Sequence, residues 1–368
     1  MKNYFHRSST HALIIGLILA LSLYWMGEGG LYRPSLAEAK MTNETATADK
    51  EPVIFDGANP KIQGAIAAQE RHHHRLMALP EVVGTATGVG EDEQPTILVF
   101  TKKRVWGGTF PESLEGVPVV AKLTGEIFAM KPKADARPKY SNTSMWPLPV
   151  PIGVSTGNIG ECSAGTIGAR VKGGGNVYAL SNNHVYALEN RAPGGSQVLQ
   201  PGRYDTRCAY SGYNIIGSLH DFVPINFTAG ATNTVDAAIA LSSLGQLGNA
   251  TPSGGYGKPN QLISAPYVRM PVQKYGRTSS LTKGTIYAIN ATINVGYETG
   301  TATFIKQIGV FSTRAFIKAG DSGSLLVTND TNAYPVGLLF AGNGSGTYAF
   351  ANPINLVLER FNVAIDGK

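Results

Sequence analysis

The sequence predicts a mainly β protein closed by a C-terminal helix and preceded by a small α/β segment. Three observations predict it. Glycine is abundant, at 44 residues, while charged residues make up only 15% of the 368-residue chain, a balance suited to short strands joined by tight turns. Beyond Pro151 short apolar runs alternate with turn residues such as Gly173-Gly174-Gly175-Asn176. Helical periodicity stands out before that region and again at the end of the chain. With 43% hydrophobic residues the chain can bury a large core.

The elements follow in order. Lys2 and Arg7 precede an uncharged apolar run from Ala12 to Met26, then Gly27-Glu28-Gly29-Gly30. That run is short for a bilayer span at about 1.5 Å per residue, so residues 1–30 read as an export signal. Ala37-Glu38-Ala39 has the small-x-small form of a cleavage site but lies well past the run, which leaves an uncleaved membrane anchor open. Residues 31–56 are polar and aperiodic, a flexible segment. A small α/β domain is expected over 57–130. Its helix carries Ile62, Ile66, Leu76 and Leu79 behind the Asn59 cap and Pro60, and Pro80 ends it. Its strands are Val82–Val89, Thr96–Thr101 and Val117–Leu123, the first two joined by the acidic turn Glu91-Asp92-Glu93-Gln94-Pro95. The charged, proline-bearing run from Lys131 to Lys139 marks a linker over 131–150.

Residues 151–368 form the main domain. Strands are expected at Gly165–Val171, Val177–Ser181, Asp236–Leu241, Val268–Tyr275, Thr285–Ala291, Ser324–Val327, Val336–Phe340 and Thr347–Phe350. Ile354, Val357, Leu358 and Phe361 make a closing amphipathic helix that Asn352-Pro353 would cap. No repeat of 20 to 50 residues is present, which excludes propellers and solenoids.

The formal charge is +6, but part of it sits in the N-terminal tail and in 131–139, and no basic module with stacking aromatics accompanies it, so nucleic acid is not an expected partner. Cys162 and Cys208 are the only cysteines. In an exported chain they pair in one way, two buried free thiols being the alternative, and their spacing excludes a CxxC site. His72-His73-His74, flanked by Arg71 and Arg75, point about 100° apart on a helix and cannot converge on one metal. They read as a solvated basic face, and no metal or cofactor is implied.

Gly320-Asp321-Ser322-Gly323-Ser324, ahead of the apolar Leu325-Leu326-Val327, is the sharpest chemical signal. A serine hydroxyl needs a base within hydrogen-bond reach and donors aimed at the oxyanion, and the glycines let the amides of Gly320 and Ser322 converge. The plain alternative is a glycine turn. Ser181-Asn182-Asn183-His184-Val185 places an imidazole at a strand end, against the alternative of a structural histidine. Val235-Asp236-Ala237-Ala238-Ile239 opens an apolar strand with a carboxylate, which suits pairing with an imidazole. A strand-capping aspartate is the alternative there, and Asp221 is the rival for the role.

The order His184, Asp236, Ser322, with gaps of about 50 and about 85 residues, resembles the chymotrypsin-like (trypsin-like) serine peptidases. The α/β-hydrolase order is the reverse, and residue 324 is serine where that elbow needs glycine, which disfavours an esterase on that fold. Within the peptidases the chain is most similar to bacterial relatives of the plant narrow-leaf protein. The shared segments are Gly165-Thr166-Ile167-Gly168-Ala169, Leu180 to Val185, Val235 to Ile239, Lys274 to Gly284 and Gly320 to Ser324.

The resemblance implies two six-stranded antiparallel β-barrels over 151–368 and an exported endopeptidase that works on protein or peptide substrates through an acyl-enzyme, without a cofactor. Ser322 would attack, His184 would act as base and then acid, Asp236 would orient the imidazole, and the Gly320 and Ser322 amides would hold the oxyanion. Phe316 would floor the substrate pocket, and Phe340-Ala341-Gly342 would wall it. That apolar floor argues against selection of Lys or Arg. Asn182, Asn183 and Val185 depart from vertebrate-type members, and Ser280 stands where a glycine is common. No Arg-Ile-Val-Gly-Gly junction precedes the domain, although Pro151-Ile152-Gly153-Val154 lies near its place, so Asp321 lacks an assured N-terminal ion partner. The competing function is a catalytically silent peptidase fold used for binding or adhesion.

Overall fold

The computed structural model describes residues 54–130 and 141–368. Residues 1–30, expected to be an export signal, the polar stretch to residue 53 and the run 131–139 lie outside the described residues.

The first amphipathic stretch forms α1, Pro60–Met77. Asn59 sets its start, accepting the Lys61 N–H at 3.0 Å, the arrangement that satisfies an otherwise orphaned helix donor. Three strands follow where the sequence predicts them: β1 (Val82–Val89), β2 (Pro95–Thr101) and β3 (Val117–Leu123). The buried face of α1 packs Ala68 and Leu76 against Val82, Ile97 and Val99. Gln69 Nε2 donates to Thr85 Oγ1 at 3.0 Å beneath it. A short strand, β4 (Ile127–Ala129), ends this segment.

The first large sheet contains β5 (Ser155–Asn158), β6 (Ala169–Gly173), β7 (Asn176–Ser181), β8 (Gln197–Gln200), β9 (Asn214–Phe222) and β10 (Ala238–Ser242). They are ordered β6-β7-β10-β9-β8-β5, with Ala364–Ile365 and Gly165–Thr166 as two-residue strands at the ends. A one-turn helix, α2 (Asn183–Tyr186), follows β7 directly. Val154, Ile167, Val185, Val198, Ile216 and Ala240 fill this core. Cys162 and Cys208 form a disulfide with their Cα atoms 5.1 Å apart.

The second large sheet contains β11 (Pro271–Gly276), β12 (Ser280–Gly296), β13 (Thr301–Phe311), β14 (Leu325–Thr328), β15 (Pro335–Asn343) and β16 (Tyr348–Pro353). Antiparallel pairings run β11, β12, β13, β16, β15, β14 and back to β11, so these six strands share one ring. Val272, Ile286, Val310, Leu326 and Leu339 pack in it. β12 far outruns the predicted Thr285–Ala291, and its pairing with β13 slips register at several points. Its far half also pairs with β1, Thr292 facing Thr85, so β1, β2 and β3 continue the second sheet.

The mainly β expectation holds, and α3 (Ile354–Phe361) forms where predicted, but the two-residue strand Ala364–Ile365, paired with β6, follows it. One detail is corrected. Asn352 does not cap α3; Pro353 occupies the cap without a side-chain bond. The Asn352 amide turns inward instead, because a buried backbone there needs it more.

Candidate active site

β7 ends at Ser181, and α2 immediately turns His184 into the interior, where the ring is fully buried. Its Nδ1 lies 2.5 Å from Asp236 Oδ2, and its backbone N–H donates to Asp236 Oδ1 at 3.2 Å. Asp236, just before β10, is also fully buried. The Tyr297 hydroxyl adds a further donor to Oδ2 at 2.9 Å. Burial, with the Asp236 charge beside it, pushes the Tyr297 phenol well above its usual pKa and keeps it protonated as a donor. A desolvated carboxylate is tolerable here because it is met by several aimed donors.

The Asp236 backbone is clamped as well. Asn352 Oδ1 accepts its N–H at 3.0 Å, and its carbonyl accepts from Asn352 Nδ2 at 3.1 Å and Asn182 Nδ2 at 2.7 Å. The other ring nitrogen of His184, Nε2, is buried without a hydrogen-bond partner. Asp221, the rival carboxylate, is at the surface, paired to Arg360 at 3.0 Å.

The Gly320–Gly323 turn meets the end of β7. Gly320 has φ +96° and Gly323 φ +91°, the left-handed region where a side chain is strained. A Cβ on Gly323 would lie 2.2 Å from Ser181 Oγ and 2.4 Å from the Thr166 carbonyl, so only glycine lets the turn press this close. Thr166 N–H donates to the Ser322 carbonyl at 2.8 Å. Gly165 is wedged between that carbonyl and the Val185 side chain, with a Cβ placed 3.0 Å from the first and 2.5 Å from the second. Ser322 and the neighbour of His184 thus flank a single glycine. The Ser322 hydroxyl itself donates to the Phe340 carbonyl at 3.2 Å and not to the imidazole.

Asp321 is held by a built-in cation. Its carboxylate lies 3.2 Å from Lys274 Nζ of β11, both groups fully buried. It also accepts the N–H of Thr278 at 2.8 Å, of Lys318 at 2.8 Å and of Ser279 at 3.1 Å. Burial lowers the Lys274 pKa, opposed by the charge of Asp321. Lys274 therefore supplies the cation that Asp321 pairs with, while Ile152 is buried with its N–H donated to the Ala250 carbonyl. Thr166 Oγ1 donates to the Gly320 carbonyl at 2.8 Å and Thr278 Oγ1 to the Ala319 carbonyl at 2.6 Å, which fixes the approach to the turn. Ser280, expected from the resemblance to stand in place of a glycine, has φ +53°, in the left-handed region.

The predicted pocket residues divide. Phe316 is fully buried in one cluster with Ile317 and Met130. The Phe340 ring packs into a different cluster, 4.9 Å from the Phe304 ring, so that residue offers the site its carbonyl and not its side chain. Ala341 and Gly342 pair with β4. His72 Nε2 is 3.0 Å from Glu115 Oε1, away from these groups in the chain segment that precedes the main domain.

No family of known proteins matches the sequence, and no curated protein matches it. Solved structures that share part of its fold include serine proteases. One is a glutamic acid-specific serine protease that uses a histidine triad in substrate binding, 19% identical, with a TM-score of 0.42 over 59% of this chain and 100% of that one. Others are Thermobifida fusca protease A (18%, 0.43, 60% and 100%) and Cellulomonas bogoriensis chymotrypsin (21%, 0.40, 60% and 99%).

Four residues were not read as part of the site. Tyr297, Asn352 and Lys274 are ordinary strand or loop residues in one dimension, and Met130 is a lone apolar residue beside a charged run. Only Lys274, a cation in the otherwise uncharged run from Met270 to Gly276, carried a visible signal.

Proposed function

We propose that this chain is a serine endopeptidase of the chymotrypsin-like kind, with Ser322 as nucleophile, His184 as general base and acid, and Asp236 as the orienting carboxylate. The observation that carries the reading is the buried His184–Asp236 pair, whose Nε2 is left without a partner, while Gly165 is wedged between Val185, next to His184, and the Ser322 carbonyl. An imidazole fixed by its Nδ1 has one free nitrogen for proton transfer, which is the tautomer a serine nucleophile requires. On this reading, rotation about the Ser322 Cα–Cβ bond would release its hydroxyl from the Phe340 carbonyl, where it now donates at 3.2 Å, to meet that nitrogen. The Gly320 and Ser322 amides then face the oxyanion, and a donor of this kind contributes about 3 to 4 kcal/mol to the transition state.

Protein or peptide is the substrate class. Residues 57–130 act as an accessory α/β domain and 151–368 as the peptidase domain. Export to an oxidising compartment is the setting that the Cys162–Cys208 disulfide favours. Among the described residues no helix is long and apolar enough to cross a membrane.

A serine-directed fluorophosphonate tests the assignment. Labelling of the folded protein that disappears in Ser322→Ala and in His184→Ala supports it. Folded wild-type protein that takes up no label counts against hydrolysis and in favour of binding alone.

A further inference from the structure

The end of the accessory segment lies in the place a substrate would take. β4 pairs antiparallel with β15, Ile127 facing Asn343, Phe128 facing Gly342 and Ala129 facing Ala341. One residue further on, the Met130 N–H donates to the Phe340 carbonyl at 3.3 Å, and the Met130 carbonyl accepts the Gly320 N–H at 2.7 Å. The Met130 side chain is only 8% exposed and sits in the cluster of Phe316 and Ile317. Its Cε comes within 2.8 Å of where a Cβ on Gly342 would be, so glycine at 342 makes the room it fills. Upstream, Asn343 Nδ2 holds the Thr124 carbonyl at 2.9 Å and fixes the register.

A peptide poised for acyl transfer needs its main chain paired to an edge, its side chain in a pocket and its carbonyl at the oxyanion donor. Met130 meets all three conditions at once. Resting on the serine peptidase reading above, we infer that the bond from Met130 to Lys131 is the enzyme's own first substrate, and that the pocket at Phe316 and Ile317 selects an unbranched apolar side chain before the cut. The Ser322 oxygen forms an ester with the Met130 carbonyl carbon while its proton passes to His184 Nε2. That proton moves on to the Lys131 nitrogen as the C–N bond breaks. Water then hydrolyses the ester, restoring the serine hydroxyl and leaving a Met130 carboxylate and a Lys131 amine. In the intact chain the strand 127–130 fills the cleft and excludes other peptides. Asp321 already has its cation in Lys274, so the cut serves to free the cleft and not to supply a new N-terminus.

Full-length wild type and Ser322→Ala, incubated in parallel, decide the matter by intact mass and N-terminal sequencing, with fluorophosphonate uptake measured on separate aliquots. The expected result is a Lys131 N-terminus in wild type and none in Ser322→Ala, with cutting slowed about tenfold or more in Met130→Asp. Tetrapeptide aminocoumarin amides Ile-Phe-Ala-X should be cleaved at least about tenfold faster for X = Met than for X = Lys or Asp. This series stands even if Met130→Asp does not fold. Wild type that takes up the label yet stays intact at this bond, is cut elsewhere, or prefers X = Lys or Asp overturns the inference alone. Absence of both label and any cut in folded wild type, with none of the tetrapeptide amides hydrolysed, instead overturns the peptidase reading on which it rests.

Discussion

Gly320→Ala tests the proposed oxyanion turn with a magnitude that the geometry supplies. At φ +96° an alanine pays the left-handed backbone cost of about 1 to 2 kcal/mol. Its methyl carbon would fall 2.4 Å from Arg277 Nη1 and 2.6 Å from Thr278 Oγ1. Neither neighbour is free to yield: Arg277 Nε donates to Asp205 at 2.8 Å and Thr278 Oγ1 to the Ala319 carbonyl at 2.6 Å. Overpacking of this kind costs about 1 to 3 kcal/mol, so the variant should lose roughly 2 to 5 kcal/mol of stability. The control is Gly254→Ala, at φ +87° with nothing within 4 Å of the new carbon, which bears the backbone cost alone. Urea unfolding reads the stability. Fluorophosphonate labelling and peptide turnover read the turn, where displacing one oxyanion donor should slow turnover about 10² to 10³-fold. Gly320→Ala with the midpoint of Gly254→Ala and the turnover of wild type would refute the reasoning, since the turn would then be neither tight nor catalytic.

Three further outcomes follow from the same coordinates. Tyr297→Phe removes a donor to the buried Asp236 carboxylate and should cost about 1.5 to 3 kcal/mol in urea unfolding, with slower labelling of Ser322; an unchanged midpoint would show that the hydroxyl is not holding Asp236. Cys162→Ser opens a loop whose ends are 46 residues apart, and chain entropy puts the loss at about 4 kcal/mol; addition of reductant to wild type should reproduce it in the same unfolding assay. For Asp366, burial opposes ionisation, but hydrogen bonds from Lys172 and Arg170 outweigh it and hold the carboxyl below its ordinary 3.8. A depressed folded pKa means stabilisation that is full above 3.8 and lost as pH falls through the lower folded value. Hydrogen exchange at Ala364–Ile365 should therefore accelerate in that acid window, and in Asp366→Asn the acid step should vanish.

Strand content and the three chemical motifs were legible because each is a local property. Alternating apolar residues bounded by glycine and asparagine placed β1, β2, β3 and β7 within a residue or two. Strands β5, β8, β9 and β13 were not read, because polar residues such as His220, Asp221, Lys306 and Gln307 interrupt their apolar pattern. The length of β12 was missed for a different reason: its far half is held by pairing with β1, more than 190 positions earlier in sequence, and no local preference records such a partner.

By itself the sequence determined the residue types that the proposed chemistry needs, a hydroxyl between glycines, an imidazole at a strand end and a carboxylate heading an apolar strand. Folding decided what those groups face. Asn352 was read as a helix cap and became a clamp on Asp236, because an unpaired buried amide costs more than an uncapped helix end. Lys274 found Asp321 and Met130 found Gly320 for the same reason: desolvated charges and amides take whatever partner the closed ring of strands brings near, and that proximity is a property of three-dimensional packing which the linear order does not contain.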